Sequence, residues 1–327
     1  MTRNVCYSII IPVFNEEAVV HETYRRLTRV MQVIGEPYEL LFVNDGSRDR
    51  TAEIIEGLAE SDNCVKLLDF SRNFGHQIAI TAGMDYACGD AIVIIDADLQ
   101  DPPELIPQMI DKWREGYDIV YAQRSKRKGE TLFKKWTAAL FYRTLRVLTE
   151  VDIPLDTGDF RLIDRKVCDA MRSIREKNRF VRGLVSWVGF RSAAVEYVRE
   201  ERFAGETKYP LKKMLRFSMD GITSFSYKPL KLATYLGFII SLASFIYLMI
   251  SLGQRLFTNN TVAGWSSLIA CLLLLNGVIL IILGILGEYV GRIYDETKNR
   301  PLYILRNQEK ADSSKLKGVT WRVRKQA

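Results

Sequence analysis

Between Ala91 and Pro103 the chain reads Ala91-Ile92-Val93-Ile94-Ile95-Asp96-Ala97-Asp98-Leu99-Gln100-Asp101-Pro102-Pro103, and this stretch restricts the fold more than any other. The apolar run is rich in β-branched residues and short, which suits one strand buried on both faces. Two carboxylates follow at alternate positions, and the paired prolines end the extended run. Such a strand belongs to a sheet covered by helices, and its polar end lies on the rim of that sheet. Asp96 and Asp98 offer hard oxygens there, and in extended chain Gln100 shares their side. The three form a set suited to Mg²⁺ or Mn²⁺ against a diphosphate.

The first 125 residues repeat the same grammar. Tyr7–Val13, Glu39–Val43, Val65–Phe70, Ile92–Ile95 and Asp118–Ala122 read as strands, with helical patterns at 17–34, 50–60, 75–88 and 103–115 between them. Strands alternating with helices imply a mostly parallel sheet covered on both faces. Asn15, Asp45, Asp96 and Asp98 all follow strand ends, so four polar groups are expected on one rim. Asp45, in Val43-Asn44-Asp45-Gly46-Ser47, can accept hydrogen bonds from a base or a ribose, or can simply shape a turn.

Downstream the chemistry of the chain changes. Leu232–Gly253 is apolar and uncharged, and Trp265–Gly287 is a second apolar stretch. Each is long enough to span ~30 Å of hydrocarbon. Two further segments, 131–149 and 211–225, read as amphipathic helices carrying both aromatic and basic residues, which suits a membrane interface. From Arg292 onward there are ten Lys or Arg against four Asp or Glu, whereas the joint at 254–263 has one basic residue, Arg255. The basic side stays cytoplasmic, so both termini and the first domain are expected in the cytosol of a multi-pass protein of the cell membrane. The expected division is a first domain over 1–210, an interface helix over 211–228, a two-helix hairpin over 229–290 and a basic tail over 291–327.

Bulk properties narrow the field. The 327 residues carry a net charge of +7, which suits a phosphorylated substrate or an anionic lipid as well as it suits nucleic acid. The five cysteines lack paired spacing, which argues against a zinc site or a disulfide framework. No signal peptide is expected, because Arg3 leads straight into a strand-like run.

Taken together, Ile9-Ile10-Ile11-Pro12-Val13-Phe14-Asn15-Glu16-Glu17, Asn44-Asp45-Gly46-Ser47 and Asp96-Ala97-Asp98-Leu99-Gln100-Asp101-Pro102-Pro103-Glu104 resemble glycosyltransferase family 2. Ser71-Arg72-Asn73-Phe74-Gly75-His76, Thr157-Gly158-Asp159-Phe160-Arg161-Leu162, Ala204-Gly205-Glu206-Thr207-Lys208-Tyr209 and Gly287-Glu288-Tyr289-Val290-Gly291-Arg292-Ile293-Tyr294-Asp295-Glu296 narrow the resemblance. They are similar to the bacterial polyprenyl-phosphate glycosyltransferases, relatives of dolichol-phosphate mannose synthase. The resemblance covers roughly 5–305. It implies an α/β fold of the GT-A type, Rossmann-like with a mostly parallel sheet, followed by interface helices and two transmembrane helices.

It also implies roles. Pro12, Phe14, Glu16 and Asp45 would hold the nucleoside, and Asp96 and Asp98 the diphosphate and its Mg²⁺ or Mn²⁺, with Gln100 as a further ligand. Asp159 would lie near the sugar and the acceptor phosphate, with a catalytic role shared with Asp98. Arg124, Arg161, Arg202 and Lys208 would bind phosphate groups, for which arginine forks and lysine point charges are suited. The implied reaction is inverting transfer from a UDP-sugar, with glucose or N-acetylglucosamine foremost, to polyprenyl phosphate for cell-envelope glycans. No nucleic-acid partner is expected, and relatives suggest a homo-oligomer, a tetramer by resemblance.

Three rivals compete with this reading. A processive polysaccharide synthase would carry a Gln-x-x-Arg-Trp motif, but the residues before Trp187 are Gly183-Leu184-Val185-Ser186. A nucleotidyltransferase would need no membrane anchor. A non-enzymatic, membrane-anchored sugar-nucleotide binder would have no need for Asp45, Asp96, Asp98 and Asp159 together.

Overall fold

The computed structural model describes residues 7–126, 157–174, 176–198, 228–257 and 264–307. Its N-terminal part is one mixed sheet built from β1 (Tyr7–Val13), β2 (Tyr38–Asn44), β3 (Val65–Asp69), β4 (Ala91–Ile94), β5 (Ile119–Lys126), β6 (Thr157–Asp164) and β7 (Ser192–Val198). The spatial order is β3-β2-β1-β4-β6-β5-β7. The strands β3, β2, β1 and β4 run parallel, while β6 enters antiparallel between β4 and β5. The expected strands are present to within a few residues, and β6 and β7 add to them.

Eight α-helices complete the described residues: α1 (Val20–Ile34), α2 (Thr51–Ser61), α3 (His76–Tyr86), α4 (Ile106–Arg114), α5 (Arg165–Ser173), α6 (Val181–Trp187) and a long pair, α7 (Lys228–Phe257) and α8 (Trp265–Thr297). Local chemistry sets their ends. Gly35 closes α1 in the left-handed conformation at φ 72°, which costs glycine little. Asp164 opens α5 by accepting the Lys166 amide at 2.9 Å, an ordinary N-cap.

Alternation along the strands divides the core into two layers. Ile9, Ile11, Leu40, Phe42, Val93 and Ile95 pack with Leu27, Met31 and Met109 on one face. Ile10, Leu41, Val43, Ile92 and Ile94 pack with Ile80, Met84, Val167 and Leu184 on the other. Both faces are covered, which is why these strands read as continuous apolar runs. Helix α3 lies so close to β1 that a Cβ on Gly83 would stand 2.2 Å from the Ile10 Cγ2 atom.

The α7/α8 pair has a different surface. Phe238 is 69% exposed and Leu280 68%, and an apolar surface of this kind suits lipid or another protein rather than water. Among the described residues, Leu275–Thr297 is long and apolar enough to cross a membrane, and Ala233–Tyr247 is a shorter apolar stretch. One span thus qualifies among the described residues, and the second expected one falls on α7, a helix of 30 residues. Helix α8 runs past position 290 to Thr297, and the chain then turns back onto the sheet. The expected interface helices at 131–149 and 211–225 lie outside the described residues.

Candidate active site

Strand order reverses between β1 and β4, with β2 and β3 leaving on one side and β4 on the other. The carboxyl ends at such a point form a crevice where ligands of α/β sheets bind. The loops from these ends are tied to one another. The Asn15 amide donates to Ser47 Oγ at 2.9 Å, and Asn15 Oδ1 accepts the Arg48 amide at 2.8 Å. The Glu16 amide donates to Thr51 Oγ1 at 2.9 Å. Asn15 itself holds φ 55°, a left-handed conformation that asparagine tolerates better than most residues. Pro12 is buried inside β1, while Phe14 and Glu16 are half-buried on the loop that leaves it.

Asp45 leaves β2 and turns inward. Its Oδ1 accepts the Phe74 amide at 2.6 Å, and the Gly75 amide lies within 3.1 Å of both of its oxygens. Burial raises its pKa, and the two amides work against that rise. Asp45 therefore fixes the loop that opens α3. Gly46 beside it holds φ 68°, and a Cβ there would meet the Arg72 carbonyl carbon at 2.5 Å and the Asn73 nitrogen at 2.6 Å. Gly46→Ala combines a backbone clash with a strained φ, so about 2 kcal/mol of stability should be lost. Thermal unfolding of the detergent-solubilised variant checks this, and an unchanged midpoint would show that the two loops are not packed as described.

Asp96 and Asp98 leave β4 as expected, and burial alternates along the stretch. Ala97 and Leu99 point into the protein, while Asp96, Asp98 and Gln100 are half-exposed. Thr23 Oγ1 donates to the Ala97 carbonyl at 2.8 Å and anchors the stretch to α1. Leu99 adopts φ 56°, a strained conformation of the kind that gathers at functional sites. Asp98 Oδ1 accepts the Gln100 amide at 3.2 Å.

Strand β6 brings the third carboxylate. Its antiparallel register sets Arg161 opposite Ile94, and continuing that register by alternation carries Asp159 alongside Asp96. Asp159 is buried and held by two cations. Arg182 Nε donates to Oδ1 at 2.7 Å and Nη2 to Oδ2 at 3.0 Å, while His76 Nε2 lies 3.1 Å from Oδ2. The same His76 nitrogen lies 3.5 Å from Asp96 Oδ1. Four elements thus meet within one network: the end of β4, β6, α6 and the N-terminus of α3.

The electrostatics follow from this packing. Burial alone would raise the Asp159 pKa, but Arg182 and His76 hold the carboxyl well below the ordinary range. Burial would lower His76, but Asp96 and Asp159 more than offset it and lift the imidazole to about 9. His76 is therefore a cation at neutral pH. Asp96 is pushed up to about 6, first by burial and then by Asp159, Asp101 and Asp98, with His76 opposing. Asp96 Oδ1 is buried and has no hydrogen-bond partner. A hard cation would satisfy that oxygen and relieve the repulsion, so the donor set fits Mg²⁺ or Mn²⁺. Among the described residues no three His, Cys, Asp or Glu side chains form a metal cage. A site completed by substrate phosphates is the usual arrangement for Mg²⁺.

The expected phosphate ligands separate. Arg161 is buried at 4% exposure, and its donors reach the Gly158 carbonyl at 2.8 Å and the Asp159 carbonyl at 3.3 Å. It braces the backbone under Asp159, and burial brings its guanidinium pKa down to about 10. Arg124 Nε donates to Tyr197 Oη at 3.2 Å, and its Nη2 lies 3.9 Å from Asp101 Oδ1. Tyr197 also donates to Asp101. Arg202 and Lys208 lie outside the described residues. Two cations of the network carried no role in the sequence reading, His76 and Arg182. His76 had a visible signal, as one of two histidines in the chain, directly after a glycine at a helix start. Arg182 had none, because only the fold brings α6 to β6.

Comparison with known proteins adds to this geometry. Residues 8–172, which span β1 to α5, match the family described as Glycosyl transferase family 2. Residues 228–293 match the GtrB C-terminal hairpin. The chain is 65% identical over 316 residues to an uncharacterized glycosyltransferase, YkcC, of Bacillus subtilis (strain 168), covering 97% of this chain and 98% of that one. It is 43% identical over 302 residues to the bactoprenol glucosyl transferase of Shigella phage SfV, covering 92% and 98%. Among solved structures, glucosyl-3-phosphoglycerate synthase from Mycobacterium tuberculosis, in complex with Mn²⁺, UDP-glucose and phosphoglyceric acid, is 20% identical. It aligns over 66% of this chain and 76% of its own, with a TM-score of 0.43.

Proposed function

Since this chain belongs to glycosyl transferase family 2 and is a glycosyltransferase, we propose that it transfers glucose from UDP-glucose to polyprenyl phosphate with inversion at the anomeric carbon. The observation that carries this reading is the network of Asp96, His76, Asp159 and Arg182 at the switch point of the sheet. It supplies oxygens for a metal–diphosphate and cations for a second phosphate in one place. The apolar hairpin supports a lipid as acceptor, and relatives named bactoprenol glucosyl transferases support glucose.

In this reading Asp96, Asp98 and Gln100 hold Mg²⁺ or Mn²⁺, which when bound neutralises the leaving diphosphate. Pro12, Phe14 and Glu16 flank the nucleoside. Asp45 shapes the loop at 71–75 that closes over it. A non-bridging oxygen of the lipid phosphate forms the new bond to C1. The bond from C1 to the diphosphate oxygen breaks, and UDP leaves with that electron pair. A phosphate monoester is largely a dianion at neutral pH, with a second pKa near ~6, so no proton has to be removed.

Asp159 fits this requirement. A carboxylate held by Arg182 and His76, with its pKa well below the ordinary range, is a poor base. It serves as an orienter that keeps both cations aimed at the phosphates. Arg124, Arg202 and Lys208 are the further candidates for phosphate contact. The domain would sit at the cytoplasmic face of the membrane, with α7 and α8 both inserted and the basic tail inside. A homo-oligomer belongs to the same reading, and light scattering in detergent reads it.

The test is transfer of labelled sugar into a butanol-extractable lipid. Purified protein with undecaprenyl phosphate should move label from UDP-glucose in the presence of Mg²⁺ or Mn²⁺, and EDTA should stop it. A panel with UDP-N-acetylglucosamine, UDP-galactose and GDP-mannose ranks the donors. No lipid-bound label from any donor would overturn the reading.

A further inference from the structure

Beyond α8 the chain does not leave the protein. Asn299 turns it at φ 46°, and residues 301–306 return to the free edge of β3. The Ser71 amide donates to the Ile304 carbonyl at 2.9 Å, and the Arg306 amide donates to the Asp69 carbonyl at 2.8 Å. Phe70 and Leu305 pair antiparallel. The segment therefore adds one antiparallel bridge beside β3, covering part of an edge that would otherwise present open backbone groups.

Side chains tie this segment to the reaction site. The Tyr303 ring stacks on Phe70 with centroids 5.2 Å apart and planes at 15°. Its hydroxyl donates to Asp85 Oδ2, near the far end of α3, at 3.0 Å. Phe70 is fully buried and meets Phe74 edge-on at 5.6 Å. The Phe74 and Gly75 amides are those held by Asp45, and His76 follows directly. A second tie runs from the end of α8. The Lys177 amide donates to Glu296 Oε1 at 2.7 Å, and Lys177 Nζ donates to the Asp295 and Glu296 carbonyls. Lys177 lies in the segment leading to α6, which carries Arg182.

We propose that residues Asp295–Arg306 form a strap that couples helix α8 to the donor site, with Tyr303 as a positioning residue for the Phe70–His76 loop. The strap touches no reacting group. It acts by holding the loop whose amides bind Asp45 and whose end places His76. Both cations that grip Asp159 are thus set from one continuous piece of chain, the last turn of α8 and the segment after it. The proposal deepens the reading above as a UDP-sugar enzyme and rests on it for the kinetic half of its test.

The experiment uses the full-length protein in detergent or nanodiscs. Tyr303→Ala removes the stack and the hydrogen bond, and Tyr303→Phe keeps the stack alone. Arg306→Pro removes the amide that bonds Asp69 while changing an exposed position, which keeps the test available should Tyr303→Ala unfold. Tyr303→Ala and Arg306→Pro are expected to raise the KM for UDP-glucose about three- to thirty-fold, the range for remote residues that bias a site. The KM for polyprenyl phosphate should rise as well, because His76 and Arg182 face the acceptor phosphate in that reading, and Tyr303→Phe should fall between. Hydrogen exchange should show lost amide protection at Ser71, Phe74 and Gly75. Folded variants with unchanged donor KM and unchanged protection at these amides would overturn the strap. If the wild-type protein shows no transfer at all, the enzymatic reading fails, and the amide protection still decides the strap.

Discussion

Asp98→Ala should cut lipid-linked transfer by about a thousandfold, the scale on which a single group stabilising transition-state charge acts. The protein should remain folded. Asp98 is half-exposed on the rim of the sheet and accepts the Gln100 amide, so its truncation opens no cavity in the core. The activity lost is that of a carboxylate aimed at the metal–diphosphate. Asp98→Asn keeps the shape and removes the charge, and it should lose nearly as much. Retained turnover in Asp98→Ala with saturating Mg²⁺ or Mn²⁺ would remove Asp98 from the metal site, and a collapsed melting curve would point to a structural role instead.

Asp159→Asn should fail in two ways at once. Asp159 is 4% exposed and faces Arg182 and His76. Removing one charge from a buried pair leaves the other uncompensated, at a cost of about 3 kcal/mol. Turnover should fall by at least about a hundredfold, because both cations lose the group that aims them. The pH dependence separates this from an ordinary packing defect. The native carboxyl lies well below its unfolded value, so the pair stabilises the fold fully above the unfolded pKa of ~3.9 and loses that contribution as pH falls through the native value. The stability gap between wild type and Asp159→Asn should therefore be widest at neutral pH and narrow in strong acid. Chemical denaturation at both ends measures it, and a gap independent of pH would argue that Asp159 is not held by an ion pair.

Much of the fold was legible because its central strands are buried on both faces. Tyr7–Val13 and Ala91–Ile94 are apolar runs with polar ends, and a run of that kind has few alternatives. The rim residues Asp45, Asp96 and Asp98 were legible for the same reason, since a strand end locates whatever follows it. Strand β7 was not, because it is no continuous apolar run: Ser192, Ala194, Glu196 and Val198 are exposed, and only Val195 and Tyr197 are buried. The route of Asp159 into the site was not legible either. It was recognisable as part of a motif, yet its place depends on β6 pairing antiparallel with β4 across a sequence separation of about seventy residues. Arg161 illustrates the limit more sharply. The residue type suggested a phosphate ligand, and the fold buries it against two carbonyls. Which donors an arginine satisfies is decided by its neighbours in space, and no local pattern carries that information.

The antiparallel insertion of β6 has a consequence for how this chain can vary. Side chains along a strand change face with every residue. A deletion or insertion of one residue within Thr157–Asp164 would carry Asp159 and Arg161 to the opposite face of the sheet and bring Phe160 to the rim in their place. Substitutions along β6 change contacts one at a time, whereas a change of length inverts the strand. Tolerance of length should therefore lie outside this strand, and Thr157–Asp164 should behave as a fixed ruler between the parallel half of the sheet and the rest.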